Sequence, residues 1–81
     1  MDPAGDLDAY RHEMGTLQIR NGKIHAEIWK LGKQAGTDDQ IFWLGTELED
    51  NKIRIRTLKH LIAKTKQAMQ KEQADDAQMS E

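Results

Sequence analysis

The sequence predicts an all-α fold, an antiparallel two-helix coiled-coil hairpin that associates into a four-helix bundle. Three observations predict it. Two long runs of apolar residues repeat at alternating spacings of 3 and 4, a short turn-forming stretch separates them and puts them out of phase, and charge alternates in sign by blocks along the chain.

Residues 1–5 are expected as a short tail and 6–35 as the first helix. Its seam is Leu7, Tyr10, Met14, Leu17, Asn21, Ile24, Ile28, Leu31 and Ala35, a run of heptad a and d positions with a at Leu7 and Asn21 as its one polar member. A turn follows at 36–38. Continuing the same heptad from Ala35 would place the next core residue at Phe42, yet the second run starts at Ile41, so the rod is interrupted. Gly36 suits the left-handed conformation that ends helices. Thr37 and Gln40 form a T-x-x-Q capping box, with Asp38 and Asp39 placed at the positive end of the next helix dipole. The second helix is expected over 38–71, with a seam of Ile41, Leu44, Leu48, Asn51, Ile55, Leu58, Ile62, Thr65 and Met69. The apolar period is lost after Met69, so 72–81 is expected as a disordered tail.

Folding back about Gly36 makes neighbours of residues whose numbers add to about 72, and every resulting layer joins an a to a d position. Leu31 then meets Ile41, Ile24 meets Leu48, Leu17 meets Ile55 and Met14 meets Leu58. Asn21 and Asn51 fall in one layer, where two amides can bond and set the register. The charge blocks agree. Residues 38–50 hold five acids and no base, and 51–71 hold seven bases and no acid. Folding back lays Lys23, Lys30 and Lys33 beside the acidic block, and Asp6, Asp8 and Glu13 beside the basic one, whereas a parallel pair would oppose like charges.

Two other folds fit parts of the chain. Asn21-Gly22 is a strong two-residue turn signal, so a small α/β domain with a β-hairpin there is the alternative fold. Two straightened chains crossing about Gly36 would form the same layers as a domain-swapped dimer.

Composition narrows the function classes. The chain has 81 residues and no Cys, which removes disulfides and thiolate metal sites. A mean hydropathy of -0.84, an acidic N-terminus and no apolar run longer than Ile41 to Leu44 predict a soluble, cytoplasmic protein without a membrane span. A core this small predicts self-association or a partner.

Several large apolar residues lie off the seam, namely Ile19, Trp29, Phe42, Trp43, Ile53 and Leu61. Trp29, Phe42 and Trp43 gather at the turn end and are the expected interaction surface for a protein partner. Lys52, Arg56, Lys59 and Lys66, within the basic stretch 52–71, are the candidate nucleic-acid contacts, with the three lysines recurring at heptad position e. The predicted architecture is similar to that of small plasmid RNA-binding proteins built as dimers of helical hairpins, a likeness of fold carried by no motif. His12, His25 and His60 lack metal-ligand spacing, and no nucleophile elbow or phosphate loop is present. The expected function is a non-catalytic oligomerisation, scaffold or adaptor module with no cofactor or metal. The alternative is a nucleic-acid-binding helical bundle.

Overall fold

The computed structural model describes the backbone of residues 3–79 and the side chains of 3–71. It consists of two antiparallel helices, α1 (Pro3–Leu31) and α2 (Asp38–Met79), packed along their length in a rod of 71 × 18 × 14 Å. No strand occurs among the described residues, and Asn21-Gly22 lies inside α1, which overturns the β-hairpin alternative. The reason is visible in the core. A β-turn at Asn21 would bury Ile19 with Ile24, but the helix buries Ile24 completely and turns Asn21 toward an amide on the other helix.

The seam behaves as a two-stranded one must. Ile24 and Leu58 are fully buried, Leu7, Leu48 and Ile55 nearly so, and the other a and d residues from Tyr10 to Met69, Ala35 apart, are half-buried. Two helices can cover each other along one line, so every seam side chain keeps a flank open to water. Thr65, the polar member near the far end, satisfies its hydroxyl by donating to the Leu61 carbonyl at 2.8 Å.

The helix boundaries differ from the expected ones in three places. α1 begins at Pro3 and not at residue 6, because the fixed φ of proline suits the first helical turn, where its missing N–H goes unneeded. At its other end α1 stops at Leu31 and not at 35, so Ala35 leaves the seam and is exposed in the turn. α2 continues past residue 71 to Met79, so the backbone of 72–79, expected as tail, is helical, and 80–81 lie outside the described residues.

Hydrogen bonding explains the early stop. The Gly32 amide makes the last α-type bond of α1, to the Ile28 carbonyl at 2.9 Å, and the Gln34 amide then tightens the chain by bonding the Leu31 carbonyl at 2.9 Å. The Thr37 hydroxyl donates to the Leu31 carbonyl at 2.8 Å and lies 3.1 Å from the Gln34 carbonyl. Gly36 adopts φ 78°, the one positive φ among the described residues, which turns the chain so that Thr37 can reach back. The Thr37 carbonyl accepts the first bond of α2 from the Ile41 amide at 3.0 Å. Thr37 is therefore the N-cap residue by backbone position, but its side chain ties down the end of α1 and does not close a capping box with Gln40. A hydroxyl can donate as well as accept, and here the open carbonyls of α1 are nearer.

Thr37 is 8% exposed, so losing its hydroxyl strands partly buried carbonyls. Thr37→Val is expected to destabilise the hairpin by about 1 to 3 kcal/mol, and Thr37→Ser to retain most of the stability. Urea denaturation followed by circular dichroism checks this, and equal stability of wild type and Thr37→Val would refute the closure by this hydroxyl.

Candidate interaction surfaces

A two-helix seam has two flanks, and in this hairpin they are built differently. On one flank lie the g positions of both helices. There Arg20 Nε and Nη2 donate to the Glu47 carboxylate at 2.7 and 3.0 Å, and Arg54 Nε and Nη2 donate to the Glu13 carboxylate at 2.6 and 2.9 Å. Both pairs are bidentate forks, the geometry that favours Arg over Lys. They stand one heptad apart on each helix with their polarity reversed, and on α2 Asn51 lies between Glu47 and Arg54. Within that layer Asn51 Nδ2 donates to Asn21 Oδ1 at 3.0 Å. No buried side-chain nitrogen or oxygen among the described residues lacks a partner.

The pairs shift their members in the expected sense. The hydrogen bond from Arg54 holds the Glu13 carboxyl below its ordinary value, against a smaller opposing effect of desolvation. The hydrogen bond from Arg20 does the same for Glu47, with a smaller contribution from the Asn51 amide. The same contacts raise Arg20 and Arg54 further. Lys23, Lys30 and Lys33, expected beside the acidic block, make no ion pair among the described residues. Lys33 instead places its Nζ 4.9 Å from the centre of the Trp29 ring. Both arginine pairs join an acidic block to a basic one, as the charge order predicts, but block charge does not say which residues meet. Their signal is the register itself, since g positions face each other in an antiparallel pair.

The other flank carries the e and b positions and holds no interhelical ion pair among the described residues. Lys52, Arg56, Lys59 and Lys66 are all exposed here. Lys52 approaches Glu49 of its own helix at 3.8 Å, and Arg56, Lys59 and Lys66 have no acidic partner among the described residues.

The aromatic residues divide between the flanks. Phe42 and Trp43 meet edge to face with centroids 5.3 Å apart, Phe42 toward the open flank and Trp43 toward the arginine-paired one. Trp43 lines a shallow groove with Glu27, Leu31, Gln40 and Leu44, while Trp29 lines another with Ile28, Gly32 and Lys33. Trp29, Phe42 and Trp43 are 72, 64 and 68% exposed, so the hairpin itself leaves these rings in water. Ile19 and Ile53 are likewise exposed, on the outer faces of α1 and α2. His12, His25 and His60 are exposed, and no metal-ligating cluster is found among the described residues. No helix among them is long and apolar enough to cross a membrane. No protein-family model, curated protein or solved structure matches the chain.

Asn21→Leu leaves the Asn51 amide unpaired in the seam and is expected to cost about 1 to 3 kcal/mol, while Asn21→Leu with Asn51→Leu is expected to be near neutral or stabilising. A double-mutant cycle by chemical denaturation reads the difference, and additive effects of the two changes would refute the coupling. The acid response follows from the lowered carboxyls. Their contribution is complete above the ordinary glutamate value of 4.5 and is lost as pH falls below it through the folded-state values, because the unfolded chain takes up those protons first. Thermal melts of wild type and of Glu13→Gln with Glu47→Gln are therefore expected to converge as pH drops through that window. A constant difference across it would refute the assignment.

Proposed function

We propose that the chain is a non-catalytic, self-associating helical hairpin that serves as an oligomerisation, scaffold or adaptor module. The observation that carries this reading is the imbalance of apolar surface. Two side chains, Ile24 and Leu58, are fully buried, while five large ones, including both tryptophans, are more than half exposed. An aromatic ring left in water at one end of a rod is a contact surface awaiting its other half. The grooves beside Trp29 and Trp43 are shallow and open, which suits a side chain offered by a protein more than a small substrate that must be shielded from water.

Sedimentation equilibrium of the full chain at micromolar concentration is expected to give a mass of at least two copies of the 9.3 kDa chain. A stable monomer across that range would overturn the reading.

A second reading is favoured by the unpaired basic positions. Arg56, Lys59 and Lys66 with Lys52 form a one-signed stripe that a phosphate backbone could follow. Binding of RNA or DNA through about four phosphates would fall with salt at a log–log slope of roughly -3 to -4. A slope near zero, or no binding, would remove this reading.

A further inference from the structure

The open flank has a pattern that the paired flank lacks. On α2, Asp38, Phe42, Glu49, Lys52, Arg56 and Lys59 recur at heptad positions e and b, with Gly45 among them, and so share one strip beside the seam. All six named side chains are exposed. Toward the turn the strip is acidic and aromatic, and from Lys52 onward it is basic. A strip that changes sign once along its length is complementary to the same strip reversed. On the other flank four of the charges at position g are already engaged within the chain by Glu13–Arg54 and Arg20–Glu47.

We propose that this flank docks a second copy of the chain face to face and antiparallel, about a twofold axis passing near Gly22 of α1 and Asn51 of α2. The inference rests on the self-association reading and names its surface. About that axis α2 lies over α2 of the second copy, as an isologous interface requires. The acidic half of each strip meets the basic half of the other, with Glu49 near Lys52 and Phe42 along the alkyl stem of Lys59. The same axis carries Trp29 of each copy over Gly15 of the other. Beyond the backbone of its own helix turn, nothing of the chain lies within 4 Å of where a Gly15 Cβ would stand, so that place is free to receive a ring. Lys33 holds the indole from one side by its cation–π contact, which lowers the entropy lost on docking.

The extent of the face is sufficient. Residues 38 to 66 of α2 span about 42 Å, which across the 18 Å width of the rod gives roughly 750 Å² per copy, close to the ~800 Å² per partner of a standard interface.

The test is a charge exchange on the full chain. Asp38→Lys with Glu49→Lys makes the strip wholly basic, and Lys52→Glu with Lys59→Glu makes it predominantly acidic. Each variant alone is expected to raise the dimer Kd by on the order of tenfold or more, and an equimolar mixture to recover association as a heterodimer. Effects confined to one chain cannot produce that recovery. Phe42→Ala and Trp29→Ala are expected to weaken association, while Trp43→Ala, on the other flank, is expected to leave it unchanged. These side chains are exposed, and far-UV circular dichroism verifies that each variant keeps its helices. If the wild type is monomeric, the self-association reading and this interface fail together. If the wild type associates but the charge variants keep its Kd, the mixture fails to recover, or Trp43→Ala alone dissociates it, the reading stands and this interface is overturned.

Discussion

The structure depends on the register of one helix against the other, and the Asn21–Asn51 bond is where that register is decided. Around it the seam is almost uniformly aliphatic, and aliphatic layers tolerate a slide of one heptad with little loss. The amide layer does not, because a slide places each asparagine against Leu, Ile or Met and leaves both unpaired in a half-buried position. The arginine forks act in the same direction. A slip of one heptad one way opposes Glu13 to Glu47, and the other way it opposes Arg20 to Arg54 and Glu27 to Glu47. Because the pairs are exposed, their attraction is screened and contributes modestly to stability. Their repulsion in the wrong registers is what discriminates.

Fixing the register also determines how the two flanks differ. Once g positions face each other, Glu13, Arg20, Glu47 and Arg54 are engaged within the hairpin. Once e positions face each other, the lysines of α2 find histidine, glutamine and arginine opposite them and no acid, so that flank keeps its charge. The aromatic residues at the turn end are left over from a seam that needs Ile41 and Leu44 but neither of the rings between them. A chain with so thin a core therefore presents one flank laced by interhelical ion pairs and one without them among the described residues. The flank without them is where association with a second hairpin has the most to gain.

The turn shows how a local signal can be located well and interpreted backwards. Gly36 and Thr37 mark the reversal in the sequence, and both lie in it. The spacing of 3 and 4 nevertheless continues through Ala35, so a reading by period extends the first helix one turn too far. Gly32, a poor helix former, and the capture of the Leu31 carbonyl by Gln34 and Thr37 end it earlier. The hydroxyl of Thr37 faces carbonyls that exist at that spot only because the first helix ends there, a partner that no four-residue motif contains. Period is equally silent on α2 beyond Met69, where the backbone remains helical although the seam has run out.

The amino-acid sequence by itself determined the two seams, the point of interruption between them and their antiparallel sense, and it favoured the all-α class, because each follows from periodicity and charge order, which are properties of a linear string. It left the Asn21-Gly22 β-turn open, and the helix that buries Ile24 overturns it. Only the tertiary structure decided which charges pair, which aromatic ring falls on which flank, and what the Thr37 hydroxyl bonds. Those depend on the angle at which side chains leave two helices already in contact, and a difference of one heptad position moves a residue from the closed flank to the open one.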